Sequence, residues 1–167
     1  MNEATITSEQ FRRACGLWAS GVSIVTTVDG AGAPFGLTMN AVTSLSLDPP
    51  MFLVCVDSGS DTLAPMLESR AYCVNVLTQR QRDLSNRFAK KGQDKFNGVA
   101  WSKGRVGAPI IDDTLISIEC EVSDVVKGGD HQIFCGIVRN IVANDSVDVK
   151  PLLYYGGGYA AVEHPSS

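Results

Sequence analysis

Two long runs of strand-forming residues, Leu115 to Lys127 and Gln132 to Asn144, flank the turn residues Gly128-Gly129-Asp130. This pattern predicts an antiparallel hairpin of two long strands. Further strands are expected at Val22 to Val28, Gly36 to Leu47, Met51 to Val56, Ala71 to Leu77, and on both sides of Gly156-Gly157-Gly158, at Leu152 to Tyr155 and Tyr159 to Val162. Asp48-Pro49-Pro50 stops one of these runs, because proline donates nothing to a ladder. Helices are expected from Thr7 to Ser20, with Gly21 ending it, from Ser60 or Asp61 to Glu68, and from Thr78 to Phe88. Thr7 with Gln10 and Thr78 with Gln81 have capping-box spacing. Ala89 to Pro109 reads as a long surface excursion with one short strand near Val99 to Trp101. Strands do not alternate with helices, which argues against a doubly wound parallel sheet. A closed or nearly closed antiparallel barrel fits instead, since closure removes exposed edges.

The 167 residues suit one domain, with a core from about residue 11 to 162. A hydrophobic share of 44% against 19% charged residues fits a globular chain. The net charge of −4 argues against a general nucleic-acid binder, which requires a basic face. Met1 to Gln10 is polar, so no secretory signal is expected, and no run approaches a membrane span. The sequon Asn144-Asp145-Ser146 is therefore read as coincidence. Cys15, Cys55, Cys73, Cys120 and Cys135 include no Cys-x-x-Cys pair and mostly occupy apolar runs. They read as small buried hydrophobes in a reducing cytoplasm. With His131 and His164 the only histidines, a histidine-rich metal site is not expected.

No P-loop or Gly-x-Ser-x-Gly elbow occurs. Gly156 to Ala161 satisfies a loose Gly-x-Gly-x-x-Ala pattern, but no βαβ unit can surround it. The stretch Gly36 to Pro50 is rich in small polar residues: Thr38, Asn40, Thr43, Ser44 and Ser46. It reads either as an exposed strand face with a proline stop or as a ledge for a flat heterocycle.

Phe35 to Met51 resembles the flavin-binding stretch of the short-chain flavin reductase family, the split-barrel FMN-binding class. Val74-Asn75-Val76-Leu77, Asp83-Leu84-Ser85, Arg87-Phe88-Ala89, the turn Gly129-Asp130-His131 and the ending Pro151 to Tyr155 with Tyr159 follow in the family's order. The likeness covers about Phe11 to Val162. It implies a mainly β fold, an antiparallel Greek-key split barrel with a few short helices.

The resemblance also implies residue roles. Thr38, Met39, Asn40 and Ala41 would contact the isoalloxazine and ribityl chain, with Ser46 helping from the same strand. Ser60 and Thr62 would approach the flavin phosphate, where a helix N-terminus favours an anion; their other reading is an ordinary cap. Asp57 in the same loop would repel a phosphate, so its side chain should point elsewhere or meet the sugar. Arg87 would supply positive charge or belong to a solvated face. Phe88 would pack on the flavin or anchor its helix in the core. His131 would position the nicotinamide or simply stand exposed, while Asp130 shapes the turn. Tyr155 and Tyr159 would touch NAD(P)H or close the barrel. The implied reaction is hydride transfer from nicotinamide C4 of NADH or NADPH to N5 of FMN or FAD, a matter of positioning that needs no protein nucleophile. A homodimer with flavin near the interface and a partner flavin-dependent monooxygenase are implied by the family alone. The competing readings are a non-enzymatic flavin protein for electron transfer or sensing, and a reductase of cobalamin or a metal chelate.

Overall fold

The computed structural model describes residues 5–92, 94–144 and 149–162. Asp145 and Ser146 of the sequon, and His164, lie outside the described residues. In chain order the elements are α1 (Ser8–Gly16), β1 (Ser20–Gly21), β2 (Ser23–Val28), β3 (Pro34–Met39), β4 (Val42–Leu47), β5 (Pro50–Asp57), α2 (Leu63–Ser69) and β6 (Ala71–Val76). A 3-10 turn, Gln79–Gln81, leads into α3 (Arg82–Phe88). Then come β7 (Trp101–Lys103), β8 (Pro109–Ile111), β9 (Ile116–Gly128), β10 (His131–Ala143), β11 (Leu153–Tyr155) and β12 (Gly158–Ala160). No described helix is long and apolar enough to cross a membrane.

Seven strands form one antiparallel sheet in the order β3-β2-β6-β9-β10-β5-β4. Its edge strands, β3 and β4, are consecutive in the chain and separated by two residues, Asn40 and Ala41. If the sheet were flat, six steps of about 4.8 Å would hold these edges about 29 Å apart. The three virtual bonds from Met39 to Val42 reach at most about 11 Å. The sheet must therefore roll until its edges meet. Because no ladder joins β3 to β4 among the described residues, the barrel stays split along that line.

The pleat sorts the core into two layers. In β2, rich in β-branched residues, Val25 points into the barrel with Val54, Val56, Tyr72, Val74 and Phe134, and Met66 of α2 joins them. Its neighbour Ile24 points outward into a second cluster with Val22, Leu77, Phe88, Ile111 and Leu152. That outer cluster seats α3 against β3. Gly36 permits the close approach, since a Cβ there would lie 2.9 Å from the Phe88 ring.

The predicted hairpin is β9–β10, and both capping boxes form, at Thr7 with Gln10 and at Thr78 with Gln81. Several expectations need correction. Gly36 to Leu47 is two strands, because the chain leaves one sheet edge at Asn40 and joins the other at Val42. The first helix ends at a Leu17 cap, and Ser20–Gly21 pairs with β11 instead of extending it. No α1 residue is buried, although Phe11, Ala14 and Cys15 recur at helical intervals; no other described residue covers them. Helix α2 starts at a Thr62 cap with no side-chain cap bond; Ser60 Oγ accepts from Thr62 N–H, and Asp61 Oδ2 reaches across to accept from Gly92 N–H. The excursion holds a two-stranded ribbon, β7 with β8, so one strand went unseen. Of the cysteines, Cys73 and Cys120 are buried, Cys55 and Cys135 partly so, and Cys15 is exposed; all are free. Burial pushes the Cys73 thiol up and that of Cys120 to about 11.

A polar junction fastens four strands. The fully buried Asn75 amide donates to the Ile24 carbonyl at 3.1 Å and to Thr26 Oγ1 at 3.1 Å. Its Oδ1 accepts from Ile111 N–H and Ser117 Oγ, both at 2.9 Å. Removing it orphans several buried groups at about 1–3 kcal/mol each. Asn75→Ala is therefore expected to lower unfolding free energy by about 3 kcal/mol in urea titration. A loss below about 1 kcal/mol would mean that other groups take over these bonds.

Candidate functional site

The split is where the chain gathers its predicted site residues. At the corner the Cys55 N–H donates to the Ala41 carbonyl at 3.0 Å, and the Asn40 amide donates to Ser20 Oγ at 3.1 Å. Past that point β5 runs on to Asp57 flanked by β10, and β3 runs away flanked by β2. Both strands keep one unpaired side there, and α3 covers part of the gap. Thr38 Oγ1 donates to the Ser85 carbonyl at 2.7 Å. The Tyr159 hydroxyl lies 2.9 Å from Ser85 Oγ and 3.0 Å from Asn86 Oδ1, with the Arg82 guanidinium 5.2 Å from its ring centroid. Thr38, Met39, Asn40, Ser85, Ala89 and Tyr159 line a pocket of about 190 Å³.

The loop after β5 organises itself. Asp57 Oδ1 accepts from Gly59 N–H at 2.6 Å, and Ser60 Oγ accepts from Thr62 N–H at 3.2 Å. The Asp57 carboxylate is thus turned into its own loop. Ser58 N–H donates to the Asp130 carbonyl at 2.9 Å, and Asp57 is the cross-strand partner of His131. The loop and the Gly-Asp-His turn therefore form one unit. Gly129 sits at φ +65°, which a two-residue hairpin turn favours glycine to adopt. His131 Nδ1 lies 2.7 Å from Asp130 Oδ1, and that bond holds the Asp130 carboxyl below its usual value.

A larger pocket, about 630 Å³, opens where Pro34, Phe35 and Gly36 of β3 face Thr62, Lys95 and Phe96. Lys95 is 11% exposed; its Nζ donates to the Gly36 carbonyl at 3.1 Å and stands 3.6 Å from Asp61 Oδ1. Lys91 Nζ donates to the Gly59 carbonyl at 3.0 Å. Thr62 is 1% exposed, yet its Oγ1 has no hydrogen-bond partner. A buried hydroxyl left unpaired costs about 1–3 kcal/mol, so an acceptor or donor brought by a ligand would find it ready.

The structure thus brings Thr38, Met39, Asn40 and Tyr159 together, and places Asp57, Ser60, Thr62 and His131 on one connected loop unit. Ala41 marks the corner itself. Ser46 is carried away along β4, opposite Met51. Of its two readings Phe88 takes the core one: it is 1% exposed and edge-on to Phe96 with centroids 5.0 Å apart. Arg87 stands exposed on α3, whereas the cations that touch the phosphate-side loop are Lys91 and Lys95. Tyr155 is 52% exposed and points away from the Tyr154–Tyr159 pair. Sequence reasoning missed Lys95, Ser85 and Asn86 as site residues. Lys95 had a signal in its place in a basic run, and Ser85 in the block Asp83-Leu84-Ser85; Asn86 had none.

The arrangement offers hydroxyls, an amide, a lysine and unpaired strand edges. Among the described residues no group of three His, Cys, Asp or Glu could hold a metal ion. A flavin fits these features: a slot with hydroxyls, an amide and a tyrosine wall for a flat ring, and an orphaned hydroxyl with lysines for a phosphate. Thr62→Val is expected to leave unfolding free energy unchanged or raise it by up to about 1 kcal/mol, because the lost hydroxyl had no partner. The same variant should weaken FMN about tenfold by fluorescence titration, about 1.4 kcal/mol. Lost stability with unchanged FMN affinity would overturn this assignment.

Comparison with known proteins agrees with the geometry. The family described as flavin reductase like domain matches residues 15–163. A protein named "Probable flavin reductase" from Rhizobium meliloti is 40% identical over 148 residues, 89% of this chain; the chain spans 47% of that relative's length. The flavin-dependent monooxygenase reductase subunit HsaB of Mycobacterium tuberculosis is 38% identical over 160 residues, 96% of this chain and 85% of HsaB. The crystal structure of a nitrilotriacetate monooxygenase component B homologue from Mycobacterium thermoresistibile superposes with a TM-score of 0.89 at 37% identity, covering 95% of this chain and 90% of that one. With a split barrel, a slot at its seam and a family match over nearly all its length, the chain belongs to the flavin reductase-like domain family.

Proposed function

We propose that this chain uses NADH or NADPH to reduce FMN or FAD and releases the reduced flavin to a separate monooxygenase. The observation that carries the reading is the seam itself. A slot at Thr38 to Asn40 lies across from a loop bonded directly to the Gly-Asp-His turn. Two planar substrates can therefore be held by connected pieces of backbone. The flavin, when bound, supplies the hydride acceptor, and the nicotinamide supplies the hydride. Everything else falls to orientation. Thr38, Asn40 and Ala41 would hold the ring edge, Ser60 and Thr62 the phosphate, and His131, steadied by Asp130, the nicotinamide nucleotide. Lys91 and Lys95 give the mouth local positive charge in a chain of net charge −4, which favours anionic substrates.

A homodimer belongs to the same proposal. Its support is α1, which leaves Phe11 exposed, and the adjoining Trp18, which is 79% exposed beside Asn40 and Ala41. A second copy would cover these residues.

Oxidation of NADH and NADPH at 340 nm, with and without FMN or FAD, tests the reading. Multiple turnovers that depend on added flavin are expected; a flavin that binds without oxidising either donor would overturn it. His131→Ala should raise KM for the nicotinamide donor at least fivefold and change KM for flavin less than twofold. Lys91→Ala should weaken FMN more than riboflavin, which lacks phosphate. Equal weakening would remove Lys91 from phosphate binding.

A further inference from the structure

We propose that the chain carries a second ligand site, at the opposite end of the β9–β10 hairpin from the Gly-Asp-His turn, which takes a monocarboxylate rich in hydroxyl groups, a sugar acid. This site goes beyond the reductase reading. It shares no lining residue with the slot or with the pocket at Lys95.

The site is a cavity of about 650 Å³ at the end of the sheet where β6 and β10 finish and β9 starts. Segments remote in sequence meet there. Thr78 bridges to Pro151, and Gln79 N–H donates to the Lys150 carbonyl at 2.9 Å, which sets Lys150 beside Gln79 and Arg80. Gln81 Nε2 donates to the Asp112 carbonyl at 2.9 Å, which ties the turn at Asp113 to the same rim. The cavity is therefore framed by hydrogen-bonded backbone, and its volume lies within the range of small-molecule sites, about 300–1,000 Å³.

The lining points to the ligand. Among the described residues that line the cavity only Val149 is apolar, which favours a polar guest over a flat aromatic ring. Gln79 Nε2 is shielded from water and has no hydrogen-bond partner. A shielded donor of this kind calls for an acceptor. The other such atom among the described residues, Thr62 Oγ1, stands where the flavin phosphate is proposed to lie. Arg80 and Lys150 are exposed, and neither side chain has a partner among the described residues. A guanidinium fork takes a carboxylate through two parallel hydrogen bonds. Asp113, at φ +59°, adds one carboxylate, which accepts from hydroxyls and repels a second anion. Two cations against one carboxylate leave a single positive charge. A monocarboxylate balances it, a phosphate dianion exceeds it, and a zwitterionic amino acid leaves it unmatched. Hydroxyls along the rest of the ligand would meet Asp113 and the remaining polar lining.

Calorimetric titration of the full chain with D-gluconate, sorbitol and inorganic phosphate tests this. Gluconate is expected to bind at least tenfold more tightly than either neutral sorbitol or phosphate. Arg80→Met and Lys150→Met should each weaken gluconate at least tenfold and leave the melting temperature unchanged. Gln79→Leu should weaken gluconate about fivefold without lowering the melting temperature, since the lost amide nitrogen had no partner. Asp113→Asn keeps a residue type that accepts positive φ and should narrow the preference for gluconate over phosphate to less than threefold. No gluconate binding to the unaltered chain, or binding that survives Arg80→Met and Lys150→Met unchanged, would overturn the site. Phosphate or sorbitol bound as tightly as gluconate would overturn the ligand class.

Discussion

Two residues joining opposite edges of a seven-stranded sheet are the constraint from which the rest of this structure follows. Asn40 and Ala41 cannot bridge a flat sheet, so the sheet rolls. Rolling creates the interior that Val25, Val54, Val74 and Phe134 fill. It also leaves β3 and β4 unladdered, and an unpaired strand edge is a row of hydrogen-bonding groups in need of partners. Along the β3 side Lys95 donates to the Gly36 carbonyl, and Thr38 Oγ1 donates across the gap to the Ser85 carbonyl of α3. The candidate slot is thus the unfinished part of the barrel.

Such a site suits a reaction that asks little of the protein beyond placement. No pair of groups in it is arranged as nucleophile and base. The polar atoms are fixed instead by bonds to neighbouring backbone: Asp57 to Gly59, Ser60 to Thr62, Ser58 to Asp130. Preorganised loops of this kind lower the ordering cost of binding. Thr62, left without a partner inside an otherwise satisfied loop, departs from that rule, as functional sites commonly do.

Much of this was legible in the residues. The β9–β10 hairpin, both capping boxes and the strand-rich character follow from local chemistry, which a sequence displays directly. The order of Thr38 to Ala41, Asp57 to Thr62 and Gly129 to His131 marked the pieces of the slot. The break at Asn40 was not legible, because β-type residues continue without interruption from one edge strand to the other. What divides them is which neighbour each half pairs with, a property of the whole sheet. The uncovered face of α1 was hidden for a related reason: helical spacing of apolar residues predicts burial but does not say against what. Lys95 sat among six cations from Arg80 to Lys95, and only folding distinguishes the one held against Gly36. Phe88 could be read as ligand contact or core, and the glycine opposite it decides for core.

The last strands of the chain close onto the first. β11 pairs with β1, Leu152 N–H donates to the Leu77 carbonyl, and Tyr159 of β12 reaches Ser85 and Asn86 beside the slot. Domains fold as units, so losing this hairpin would reach well beyond its own residues. It would leave β1 unpaired, the Leu77 carbonyl without its donor and the slot without its tyrosine wall, so competence to hold a redox-active ring hangs on two short strands that lie outside the seven-stranded sheet.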